Sequence, residues 1–228
     1  MGLLDSSVSG IFEVAARLRH GRVFHPDGLV LTGELRAVDA QYERILGDAK
    51  RDVVVRISKG VGLPGSLPDV LGLAIRVQDR EGLPWDLALA TSGTGALGQL
   101  LILPALGWET AHYGSIMPYS FDDGPALWLA AKPEAPQPES ADVADFGDAV
   151  HERPTGFVLT AKPLSGPERT LAHLTLTEQA DAEAPSYFDP VRNLPSSVAL
   201  LPGALAAVRR WAYRGSREGR DSSVPVRV

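Results

Sequence analysis

Four short runs rich in β-branched and other apolar residues follow one another between residues 30 and 90. They are Val30-Leu31-Thr32-Gly33-Glu34-Leu35, Val53-Val54-Val55-Arg56-Ile57-Ser58, Leu73-Ala74-Ile75-Arg76-Val77 and Trp85-Asp86-Leu87-Ala88-Leu89-Ala90. Gly, Pro and Asp punctuate the gaps, as turns require. The gaps lack crossover helices, which favours antiparallel sheet over βαβ units. Gly156 to Lys162 and Thr170 to Glu178 read as two further strands. Six to eight strands with two or more helices predict one α+β domain over 1–228, an antiparallel β-barrel with a few flanking helices.

The helices are expected at the two ends of the chain. Ile11, Phe12, Val14, Ala15 and Leu18 have amphipathic spacing, which places a short helix within 1–20. Pro202 and Gly203 open a second one, over 203–214. Residues 132–154 are rich in Pro, Ala, Asp and Glu and read as a solvated excursion within the domain.

Composition narrows the function classes. The net charge is −6, from 22 basic and 28 acidic residues, which argues against a nucleic-acid surface. It does not argue against an anionic small ligand, for which a few well-placed arginines suffice. The chain has no cysteine, so disulfides, thiolate ligands and cysteine nucleophiles are absent together. A cytoplasmic location fits. No run of roughly eighteen apolar residues predicts a membrane span, and Asp5 and Glu13 interrupt any signal-like apolar stretch.

His25, in Arg22-Val23-Phe24-His25, is suited to acid–base work, metal ligation or a structural hydrogen bond. Alone it reads as an ordinary histidine. Its company points further. Arg22-x-x-His25, then Arg56-Ile57-Ser58, then Pro68-Asp69-x-x-Gly72, then Trp85-Asp86-Leu87 occur in that order. Near the end stand Phe188-Asp189-Pro190, Asn193 and Pro195, then Arg209, Tyr213 and Arg220. On a helix, residues four apart share a face, so Arg209 would sit beside Tyr213. A neighbouring guanidinium favours a tyrosinate.

This ordered set resembles the heme-dependent catalases over about residues 22–92 and 187–220; the middle of the chain matches poorly. The resemblance implies a short catalase-like barrel that binds heme b and reduces hydrogen peroxide or an organic hydroperoxide. It makes His25 the distal acid–base group, with Ser58 holding its imidazole. It makes Tyr213 the proximal iron ligand on a proximal helix, with Arg209 beside it. Arg22, Arg56 and Arg220 then face the heme propionates.

The pattern breaks at Ala90, where catalases carry an asparagine four residues after the aspartate at 86. That departure puts rapid peroxide disproportionation in doubt and leaves room for peroxidase chemistry. The chain also lacks the length for the interlocked tetramer of large catalases, so a monomer or homodimer is expected. Two other readings stay open. One is a barrel that carries heme or a small hydrophobic ligand without turnover. The other is a phosphodiesterase-like hydrolase on the same scaffold, using the arginines and the histidine.

Further motifs have ordinary explanations. Gly93-x-Gly95-x-x-Gly98 imitates a dinucleotide fingerprint, but Pro104 and Gly107 interrupt the segment after it. His20, His25 and Asp27 lack a second cluster that would complete a metal site. Core or surface placement is the ordinary role for His112, His151 and His173, although His112 beside Tyr113 could line a pocket.

Overall fold

The computed structural model describes residues 28–181, 184–185 and 187–201. The expected N-terminal helix, the helix over 203–214, and Arg22, His25, Arg209, Tyr213 and Arg220 lie outside these residues.

Eight strands form a closed antiparallel barrel in the order β1-β2-β3-β4-β5-β7-β8-β9. β1 is Gly28–Ala37, β2 Lys50–Lys59, β3 Leu71–Gln78 and β4 Pro84–Thr91. β5 is Tyr113–Gly114, β7 Trp128–Pro133, β8 Thr155–Lys162 and β9 Arg169–Gln179. β6 (Tyr119–Phe121) lies outside the barrel and pairs with β10 (Val198–Leu200). The four N-terminal strands and the two late ones stand where the sequence predicts them. The very short β5, β6 and β10 carry too few residues for a period of two to register.

Side chains alternate across the barrel wall, as strand geometry dictates. Leu31 and Leu35 of β1, Val53, Val55 and Ile57 of β2, Leu73, Ile75 and Val77 of β3, and Leu87 and Leu89 of β4 are buried in one apolar core. Phe157 and Leu159 of β8 and Leu174 and Leu176 of β9 belong to the same core. An eight-stranded barrel is about wide enough for its own side chains to fill. These residues fill it; most polar side chains of the strands face the outer wall, while Lys59, Thr91 and Thr155, in inward register rows, are buried.

Closure depends on the β1–β9 seam. The register shifts between Thr32 and Gly33, where β1 meets β9. A Cβ on Gly33 would come 2.0 Å from the Thr175 carbonyl oxygen and 3.0 Å from the Leu176 Cα. Backbone cannot move aside as a flexible side chain can, so this position requires glycine.

Among the described residues, three helical segments flank the strands. α1 (Ala40–Leu46) follows Asp39, whose carboxylate accepts from the backbone N–H of Gln41 and Tyr42. Gly47 ends it in the left-handed conformation at φ 75°. Its Tyr42 packs with Trp85 and Phe121 at ring distances of 5.3 and 6.3 Å. α2 is the single turn Gly95–Gly98. It opens no βαβ unit, since β3, β4, β5 and β7 pair antiparallel.

α3 (Val143–Glu152) corrects the expectation of a solvated excursion over 132–154. Asp142 caps it, and Phe146 and Val150 are buried. Phe146 packs edge-on against Trp108 at 4.9 Å and stacks on Phe157 at 6.4 Å. The Trp108 indole N–H donates to the Asp142 carbonyl at 2.8 Å. Two apolar residues four apart suffice to bury one helix face, although the average composition of the stretch is that of a loop. The start of this stretch also belongs to β7, which runs to Pro133.

Gly33→Ala is expected to destabilise the protein by at least about 2 kcal/mol, as overpacking against immovable backbone does. Urea unfolding measures it; an unchanged midpoint would mean that the seam opens without cost.

Candidate functional site

The strand registers build a plate on the outer wall of β1–β4. One row runs Gly28, Ser58, Gly72, Ala90 and on to Gly114 of β5. The next row runs Val30, Arg56, Ala74 and Ala88. Only Val30 and Arg56 exceed serine in size. Three strand spacings make the plate about 14 Å wide. Small side chains keep most of it low, and the Arg56 guanidinium lies over it at Gly28.

Two of the seven predicted site residues, Arg56 and Ser58, are described, and both stand on this plate. They are two apart on one strand and therefore share a face. Arg56 is 7% exposed and Ser58 1% exposed. The Arg56 guanidinium lies across Gly28: a Cβ there would meet Nη2 at 2.5 Å and Cζ at 2.6 Å. Desolvation draws the Arg56 guanidinium below its usual range. A carboxylate beside it would favour the charged form. The Ser58 Oγ is buried and has no hydrogen-bond partner among the described residues. A buried hydroxyl usually has one.

The next row, Thr32, Val54, Arg76 and Asp86, gives way to an open groove of about 830 Å³. Thr32, Glu34, Lys50, Asp52, Val54 and Arg76 are among its lining residues. At the edge of the plate Asp86 is 0% exposed and organises an ionic clamp. Arg76 donates to both of its carboxylate oxygens at 2.6 Å. The Asp189 backbone N–H and the Asn193 side-chain amide each donate to it at 2.7 Å. Asp86 N–H donates in turn to the Asn193 carbonyl at 2.9 Å. The Arg76 guanidinium also lies 5.1 Å from the centre of the Phe188 ring.

Two sequence motifs a hundred residues apart, Trp85-Asp86-Leu87 and Phe188-Asp189-Pro190 with Asn193, therefore meet. The sequence shows both pieces; their contact needs the fold. Asp69, in the third motif, is a loop organiser. Its buried carboxylate accepts from the backbone N–H of Val61, Leu63 and Val70 at 2.7 to 2.9 Å.

Four of the five tyrosines are described. Burial pushes the phenols of Tyr42, Tyr113 and Tyr119 well up, so each stays protonated. Tyr187 is raised as well, by desolvation and then by the Asp189 charge. None of the four is set up as a tyrosinate. The fifth is Tyr213.

A second polar site, unseen in the sequence apart from His112, lies on the outer wall of β5, β7 and β8. It is a cavity of about 170 Å³ with His112, Trp128, Lys132, Lys162 and Glu168 among its lining residues. Among the described residues no group of three or more His, Asp or Glu is placed to hold a metal ion. None of their helices is long and apolar enough to cross a membrane. No protein-family model matches the chain, and no curated protein matches it.

Asp86 and Ser58 should respond differently to truncation. Asp86→Ala strands Arg76 and is expected to cost about 3 kcal/mol in urea unfolding. Limited proteolysis should then cut first in the 187–193 segment. Ser58→Ala removes a hydroxyl without a described partner, so its stability is expected to stay within about 0.5 kcal/mol of the parent. A large loss would reveal a hydrogen bond that Ser58 makes within the folded chain.

Proposed function

We propose that this chain is a heme-binding oxidoreductase that acts on hydrogen peroxide or organic hydroperoxides, with heme b lying on the outer plate of β1–β4. The observation that carries the proposal is the plate itself. It is a small-residue surface with a buried guanidinium and a buried serine hydroxyl on one face of one strand. The barrel interior is filled by apolar side chains, so a ligand of this size belongs on the outer wall.

The residues fit a flat molecule that bears carboxylates. Arg56 would bind a propionate, together with Arg22 and Arg220 from the flanking segments. Tyr213 would hold the iron. Arg209, one helical turn before it, would favour its ionised form. Heme, when bound, supplies the redox-active iron at which the peroxide O–O bond is cleaved. His25 would take the proton from one peroxide oxygen and return it to the other, which is general acid–base assistance. The Ser58 hydroxyl would accept or donate one hydrogen bond at the imidazole and so hold its tautomer.

Ala90 favours a second reading, a carrier that holds heme without turnover. Its methyl group stands in the row of Ser58 and Gly72. A methyl group cannot orient peroxide as an amide does, and placement governs such a reaction.

Reconstitution of the full chain with hemin separates these readings. A Soret band is expected, with a ligand-field signature that Tyr213→Phe alters. Arg56→Ala should weaken heme retention by about tenfold, the loss of one charge-assisted bidentate contact. Failure to form a Soret band, or a band indifferent to Tyr213→Phe, would overturn tyrosinate ligation. Peroxide consumption that disappears in His25→Ala, with heme still bound, would exclude the carrier.

A further inference from the structure

The cavity on β5, β7 and β8 is polar in an unusual way. Trp128 is 3% exposed, lies on the outer wall and contributes to the cavity lining. Its indole Nε1, a donor only, is buried and has no partner among the described residues. Gln99 and His112 line the same cavity, and the Gln99 side-chain amide nitrogen is likewise buried without a partner among the described residues. Two buried nitrogens able to donate, on residues that line one cavity, thus have no acceptor among the described residues.

The charges agree. Lys162 stands directly across from Trp128 in the β7–β8 pairing and also lines the cavity. No ion pair to it is formed by the described residues. Lys132, two outward positions along β7, is already neutralised: its ammonium donates to Glu168 at 2.8 Å. Thr160 donates to the other Glu168 oxygen at 2.6 Å. Desolvation alone would push Glu168 up, but these hydrogen bonds bring it below the usual carboxylate range, so it stays ionised. Desolvation, reinforced by the Lys132 charge, holds His112 below its ordinary value, so the ring is neutral. The cavity wall therefore carries one net positive charge, from Lys162.

The geometry points to a binding site for a small oxyanion of about one negative charge, a carboxylate or a phosphate, held by the Trp128 indole N–H, the Gln99 amide and the Lys162 ammonium. The cavity, about 170 Å³, is well below the roughly 300–1,000 Å³ of sites that take drug-sized ligands. That limits the occupant to a small ion or one terminal group. His112 with its proton on Nδ1 would add a fourth donor, and a carboxylate has about four acceptor positions to offer. The site adjoins the proposed heme plate at Gly114 of β5, but none of the residues proposed to hold heme lines it, and it does not depend on the heme proposal.

The test uses the full chain labelled with ¹⁵N. It follows the four indole N–H resonances while sodium formate, or in a second arm inorganic phosphate, replaces chloride at constant ionic strength. Trp128→Phe identifies the Trp128 signal. A saturable shift confined to that signal is expected, with affinity about tenfold weaker in Lys162→Gln, the loss of one charge-assisted contact. Lys162→Arg should retain the shift, and Lys50→Gln, a change at an exposed lysine on β2, should leave it unaltered. The remaining indole signals report that each variant is folded; should Lys162→Gln fail to fold, Gln99→Leu must show the same weakening. Saturation by formate alone identifies a carboxylate site, and saturation by phosphate alone a phosphate site. A Trp128 signal that does not move up to about 100 mM of either ion, beyond any useful affinity, overturns the proposal. So does a shift of equal midpoint in Lys162→Gln.

Discussion

Closure of the barrel at the β1–β9 seam is the constraint on which the rest of the structure depends. It requires two backbones to approach at Gly33 more closely than any side chain would permit. Once the seam closes, the inward half of every strand belongs to the core. Large apolar residues such as Leu35, Ile57, Ile75 and Phe157 then fill the interior. Most polar side chains on the strands take the outer wall, and both candidate sites lie there.

The two sites divide that wall. β1–β4 present small residues around Arg56 and Ser58, which makes a plate. β5, β7 and β8 present Trp128, Lys132 and Lys162 around a small cavity. The two adjoin at β5, where the row of Ser58, Gly72 and Ala90 runs on to Gly114 of the cavity wall. The Asp86 carboxylate fixes one border of the plate. Its charge is removed from water entirely, yet Arg76, Asp189 and Asn193 supply four hydrogen bonds to it. A buried charge is tolerated when it is paired and its lone pairs are used.

Local pattern carried much of this architecture. The β-branched runs marked β1 to β4 and the two long late strands, because a period of two is visible within one segment. Arg56 and Ser58 could be placed on one face from their spacing alone. The loop reading of residues 132–154 shows where such reasoning stops. Average composition hid the pair Phe146 and Val150, whose burial depends on Trp108 and Phe157 from distant segments. His112 was recognisable as a pocket candidate. Trp128, Gln99 and Lys162 were not, since nothing local marks a tryptophan whose N–H lacks a partner among the described residues.

By itself, the sequence determined the alternation of the strands, the antiparallel class of the sheet and the shared face of Arg56 and Ser58. These follow from spacing within a strand. Only the tertiary structure decided that the sheet closes, that Asp86 holds the chain around Asn193, and that Trp128, Gln99 and Lys162 line one cavity. Each of those depends on which segments become neighbours. Register and closure set that choice through backbone contacts that the side-chain pattern of one segment does not encode.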